Sequence, residues 1–138
     1  MNSPPLHAII FISSVTEILK TEEVAAIVDA ERKVATSRGL TGIVMVLGGN
    51  VLRLIEGNKE KVLEEYEDVK RNPNLSNIIK LFDHSSTHRY FENYVFMSDI
   101  HSVLNDFSNP EMEAYLEECF NIDSREMRIL KDFLKNNR

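Results

Sequence analysis

Cysteine occurs once in these 138 residues, at Cys119. No intramolecular disulfide can form, and a reducing compartment, the cytoplasm, is the expected setting. Cys119 itself reads as a small apolar residue on a helix rather than a reactive thiol. Long hydrophobic runs are also missing. The longest, such as Ile43 to Leu47, are far too short to span a bilayer, and no basic region followed by an apolar stretch marks a secretory signal. An excess of basic residues is absent as well. Lys and Arg number 16 against 22 Asp and Glu, a net charge of −6. That balance disfavours nucleic acid and anionic membrane as partners, because both call for a basic surface. Repeats and low-complexity segments are lacking too. What is present is 43% apolar and 28% charged residues, enough for one folded core.

The apolar patterning divides the chain into residues 1–6, a loose arm containing Ser3-Pro4-Pro5; residues 7–99, the main domain; and residues 100–138, a helical extension. Ala8 to Ser13 is Ile-rich and reads as a buried strand. Thr21 can cap a helix whose first turn holds Glu22 and Glu23; Val24, Ile27, Val28 and Val34 form its stripe, and Gly39 lies just past its end. Thr41 to Leu47 and Val51 to Glu56 read as strands joined by the turn-forming Gly48-Gly49. Asn58 caps a second helix with the stripe Val62, Leu63, Tyr66 and Val69, ended by Asn72-Pro73-Asn74. Ile78 to Phe82 and Tyr94 to Met97 are the fourth and fifth strands. The order βαββαβ with one more strand predicts an α+β, ferredoxin-like fold with both helices on one sheet face.

The extension predicts two amphipathic helices. One starts at Asn109-Pro110-Glu111 and carries Met112, Tyr115, Leu116 and Cys119. The other carries Met127, Leu130, Phe133 and Leu134 behind a near capping box, Asp123-Ser124-Arg125-Glu126, with Asp in the cap role. Their apolar faces need either the free sheet face or a second subunit.

Four features, in order, resemble the BLUF family of blue-light sensors that use a flavin. They are Phe11-Ile12-Ser13-Ser14, Gly39-Leu40-Thr41-Gly42, the strand Leu52-Arg53-Leu54-Ile55-Glu56-Gly57, and Arg89-Tyr90-Phe91. The resemblance covers about the first hundred residues. It implies FAD or FMN between the two helices, in a cleft whose aligned positions here are Phe11, Ile27, Glu31, Ala35, Leu40, Val51, Arg53, Asp68 and Phe96.

The residues that would run the family's chemistry do not carry over. Phe11 stands where the family has a redox-active tyrosine, Arg53 where it has a glutamine, and Ala35 where an asparagine bonds the flavin ring. Tyr94 and Phe96 align with the relaying tryptophan or methionine, and Asp68 and Asn72 fall where flavin-binding side chains often lie. An amide both donates and accepts hydrogen bonds, whereas a guanidinium only donates and stays charged. The expectation is therefore a regulatory, protein-interacting module on this fold, without flavin and without the photochemistry. The alternative is a flavin-binding photoreceptor or redox sensor with altered chemistry.

Strand alternation puts Val51, Arg53 and Ile55 on one face, which by the resemblance looks at the helices. A buried guanidinium must be paired or solvated. Pairing with Glu31 or Asp68, extension of the charged head to solvent, and capture of an anionic ligand all stay open.

Other constellations carry little chemistry. His84 and His88 with Asp83 lack a metal-binding spacing and read as loop residues. Ser85-Ser86-Thr87 has no nucleophile-elbow context. Glu64, Glu65, Glu67 and Asp68 read as the solvated face of the second helix, as do Glu117-Glu118 on a later one. Tyr90, Phe91, Tyr94 and Phe96 read as core. No convergent acid, base and nucleophile suggests an enzyme. The expected partner is a protein, including a second copy through the C-terminal helices.

Overall fold

A computed structural model describes residues 5–15, 21–98 and 109–137. Residues 1–4 of the expected arm and the side chains of Thr21, Glu22, Val24 and Asn109 to Met112 fall outside the described residues or side chains; Leu6, placed in the arm by the sequence, instead opens β1, and α3 starts at Asn109 as expected. The elements run β1 (Leu6–Val15), α1 (Thr21–Ser37), β2 (Thr41–Leu47), β3 (Asn50–Asn58), α2 (Lys59–Lys70), β4 (Leu75–Ser86), β5 (Tyr94–Ser98), α3 (Asn109–Phe120) and α4 (Arg125–Asn137). One five-stranded sheet has the order β4-β1-β3-β2-β5. It is antiparallel except for β2 against β5.

All five glycines lie between 39 and 57, and each has positive φ. At Gly42 the requirement is steric. A Cβ there would sit 1.9 Å from the Leu54 carbonyl oxygen. At Gly57 it would meet the Leu40 side chain at 2.8 Å. Glycine is what lets β2 and β3 approach this closely.

Side chains alternate between two apolar clusters. Ile9, Phe11, Val44, Val51, Ile55, Tyr94 and Phe96 face α1 and α2, with Ala35, Val62, Tyr66 and Val69 packed on them. Ile10, Ile43, Met45, Leu52, Leu54 and Met97 face the other way, against Leu116 and Cys119 of α3 and Met127, Leu130, Phe133 and Leu134 of α4. The C-terminal helices thus cover the free sheet face of their own chain, each buried large side chain contributing roughly 1.5–3 kcal/mol.

Several local expectations are corrected. Leu63 and Val34 are exposed, while Glu65 takes a buried place on the α2 stripe beside Val62, Tyr66 and Val69. The α4 cap is Ser124, not Asp123: its Oγ accepts the Met127 amide at 3.2 Å. Strand β4 extends well beyond Ile78 to Phe82, because two register shifts against β1 let the pairing continue. One lies opposite Asn77, which has φ 54°. Such irregularities also blunt an edge strand.

Candidate functional site

The register lays Phe11, Arg53, Val44 and Phe96 in one row across β1, β3, β2 and β5, beneath α1 and α2. Phe11 is fully buried, its ring edge-on to Tyr66 at 4.9 Å. Arg53 beside it is buried and forks onto Glu31 of α1, Nη1 to Oε2 at 2.8 Å and Nη2 to Oε1 at 3.2 Å. Two parallel charge-assisted bonds of this kind fix geometry as well as charge. Burial alone would make the guanidinium easier to deprotonate, but the Glu31 carboxylate outweighs it and holds the proton more firmly than usual.

The Tyr94 hydroxyl lies close enough to feel this pair. Burial pushes its pKa up, and Arg53 pulls the other way. Among the described residues, neither the Tyr94 hydroxyl nor Arg53 Nε has a hydrogen bond of good geometry, nor has Ser13 Oγ on the same face.

A second set of bridges spans α1 and α2. Arg38, one residue past α1, donates through Nη1 to Glu65 at 2.7 Å and through Nη2 to Asp68 at 2.6 Å. Asp68 also accepts from Arg71 at 3.2 Å. Arg53 therefore takes Glu31, while Asp68 belongs to Arg38 at the rim. Burial raises the Glu65 pKa, opposed by Arg38. Of the remaining aligned positions, Ala35, Val51 and Phe96 are buried in the same cluster, and Arg32 lies 5.3 Å over the Phe96 ring. Ile27 is half-buried. Leu40 is buried in this cluster too, at the end near Gly57. Sequence reasoning missed Arg38 and Glu65. The available signal was an acid at the i+3 position of an otherwise apolar stripe.

The motif residues Glu56 and Arg89-Tyr90-Phe91 assemble elsewhere, at the end of the hairpin opposite Gly48-Gly49. Glu56 Oε1 accepts from the Phe91 amide at 2.8 Å and from Thr41 Oγ1 at 2.9 Å, and Oε2 accepts from the Tyr90 amide at 3.0 Å. Arg89 Nη1 donates to Thr41 Oγ1 at 2.9 Å and to the Glu56 carbonyl at 3.3 Å. Burial raises the Glu56 pKa against these donors. This is a structural clasp closing the β4–β5 loop onto the sheet.

Of the histidine group, His84 and His88 are exposed, and Asp83 bonds His7 and Lys80. Among the described residues no group of His, Cys, Asp or Glu is arranged to hold a metal, and no helix is long and apolar enough to cross a membrane.

The residues between α1 and α2 do not suit a flavin. The Arg53–Glu31 and Arg38–Glu65 bridges engage the charged side chains there with one another. Phe11 and Ala35, buried in the same cluster, offer a ring no polar side-chain group.

The family model described as BLUF, sensors of blue light using FAD, matches residues 6–97. No curated protein sequence matches the chain. Among solved structures, the BLUF protein BlrB in its dark state is 22% identical, with a TM-score of 0.67 over 84% of this chain and 95% of that one. Klebsiella pneumoniae BlrP1, in a manganese and cyclic-diGMP complex, is 20% identical with a TM-score of 0.75 over 95% of this chain. A bacterial light-regulated adenylyl cyclase is 20% identical with a TM-score of 0.65. This chain spans 33% of each of these two larger proteins. At these identities the solved structures speak for the fold alone, and that fold is the one described above. With the family model matching two thirds of its length and each framing motif in place, the chain belongs to the BLUF family.

Proposed function

We propose that this chain is a regulatory, protein-interaction module on the BLUF fold that works without bound flavin and without flavin photochemistry, in the cytoplasm. The Arg53–Glu31 fork carries this reading. A charged, doubly bonded pair fills the position of an amide whose rotation or tautomerisation the photochemistry needs. Phe11 beside it has no hydroxyl to donate an electron or a hydrogen bond. The Arg38 bridges to Glu65 and Asp68 hold the two helices together in place of a ligand.

The absorption spectrum of the purified chain, before and after incubation with FAD and with FMN, tests the proposal. The expected result is a colourless protein that retains no flavin through gel filtration. A yellow protein with a bound-flavin spectrum overturns it. The buried Tyr94 phenol beside Arg53 favours a second reading, a flavin-binding photoreceptor or redox sensor with altered chemistry. That reading requires bound flavin whose spectrum shifts reversibly under blue light or on reduction.

A further inference from the structure

A cleft of about 620 Å³ opens between the end of α1, the start of β2, β5 and the loop that precedes β5. Among the described residues none from α2, β1 or β3 lines it, so it is distinct from the Arg53–Glu31 site. Its volume is that of a small-molecule site. Two arginines line it from different elements. Arg32 belongs to α1 and holds its guanidinium over the Phe96 ring. Arg89 belongs to the loop and makes both its hydrogen bonds through Nη1, to Thr41 Oγ1 and the Glu56 carbonyl. Its Nη2 and Nε remain for a further acceptor, and the residue is exposed. Leu40 and Tyr94, both buried, add apolar lining.

The acceptors nearby are mostly engaged. Glu56, whose charge is felt at Arg89, takes the Tyr90 and Phe91 amides and the Thr41 hydroxyl. The last carbonyls of α1 accept from the Arg38, Gly39 and Leu40 amides, so the helix end leaves few bare acceptors there. Glu92, exposed, is the one carboxylate lining the cleft. Asp29 and Lys33 lie in a more open groove that shares Arg32 and Thr36, and their charges offset each other. In a chain of net charge −6 the cleft is thus locally positive. Its walls are also tied together, since the Gly42 amide at the start of β2 donates to the Asn93 carbonyl of the loop at 3.1 Å.

We propose that this cleft binds a small molecule that carries one oxyanion, a phosphate monoester or a carboxylate, on an apolar body. The oxyanion lies between Arg32 and Arg89, and Arg89 meets it with the donors that the Thr41 and Glu56 contacts leave over. The apolar body rests on Leu40 and Tyr94. Two guanidiniums in a bounded cleft suit a single anionic group, whereas a polyanion needs an extended basic surface that this chain lacks. Bound there, the ligand links α1 to the β4–β5 loop. The site stands whether or not flavin occupies the cleft between α1 and α2.

Isothermal titration of the full chain with phenyl phosphate and with benzoate, at constant ionic strength, tests the site. The expected result is saturable one-to-one binding of at least one probe, and the tighter of the two names the oxyanion. Arg32→Gln, which leaves the Glu56 clasp intact, and Arg89→Gln should each weaken it about tenfold or more, with unchanged circular dichroism. Glu92→Gln should tighten it about two- to fivefold by removing a like charge, a gain that a damaged fold does not produce. Absence of binding by both probes up to millimolar concentration overturns the proposal. So does binding indifferent to both arginine changes, or binding that Glu92→Gln weakens.

Discussion

Strand β3 buries two charges that face opposite sides of the sheet, and they are stabilised in different ways. Arg53 looks toward α1 and α2 and meets a full countercharge on Glu31. Glu56 looks toward the α3–α4 side and meets neutral donors, the Tyr90 and Phe91 amides and the Thr41 hydroxyl, with the Arg89 guanidinium nearby. The Glu56 clasp is made largely of backbone groups, so a side chain with no acceptor there strands two amides. The Arg53 site is made of side chains alone and can be rebuilt by exchanging them. Such a difference would let a chain hold a frame at Gly39-Leu40-Thr41-Gly42, Glu56-Gly57 and Arg89-Tyr90-Phe91 while the side chains facing α1 and α2 are exchanged.

The comparison is broken most severely at the ion pair. Arg53→Ala leaves the Glu31 carboxylate without its partner and should cost about 3–5 kcal/mol in urea unfolding. The double change Arg53→Met/Glu31→Leu should recover most of that loss, because an apolar pair of similar volume removes both charges together. Recovery would show that the cleft is exchangeable; failure to recover would show that the charges specify the helix positions.

Glu56→Ala should come next, at about 2–3 kcal/mol, since the Tyr90 and Phe91 amides lose their acceptor where water reaches poorly. No second-site apolar change should rescue it, because the stranded groups belong to the main chain. A rescue would erase the distinction between the two sites.

The smallest expected effect is on pH dependence. Burial raises the Glu65 pKa above its ordinary value, so between those two values the folded chain binds more protons than the unfolded chain. Stability then falls as pH rises through that window. Glu65→Gln should flatten this descending limb when melting temperature is followed across the weakly acidic range. Glu56, shifted in the same direction, should leave part of the slope behind. A variant whose profile parallels the wild type would mean that Glu65 ionises freely.

The frame was legible in the sequence because its signals are local. A glycine at a close crossing, an asparagine cap and a Gly-Gly turn each act within a few residues. Two apolar faces on the strands likewise foretold helices on both sides, although not whose helices they would be. The interior of the cleft was legible only by half. Alternation put Arg53 on one sheet face, the resemblance turned that face toward the helices, and the cost of a bare charge called for an acid, but Glu31 and Asp68 were equal candidates until the arrival of Arg38 from beyond α1 claimed Asp68. Glu65 was hidden by its setting. It stands in a run of acids, and its burial depends on a partner 27 positions away in the chain. The extra length of β4 was hidden because bulges interrupt the alternation by which a strand is read.

The Gly48-Gly49 turn has a further consequence. Val15 at the end of β1 donates its amide to the Gly49 carbonyl at 3.1 Å, and Asn50 donates its side-chain amide to Asn137 in the last turn of α4 at 2.9 Å. Three elements thus meet at one surface corner, and β3 runs from that corner directly to the buried guanidinium. A load applied to the end of α4 reaches the cleft through hydrogen bonds and a single short length of strand, with no loop in between to absorb it. An outer partner bound at that corner would have a mechanical handle on the interior.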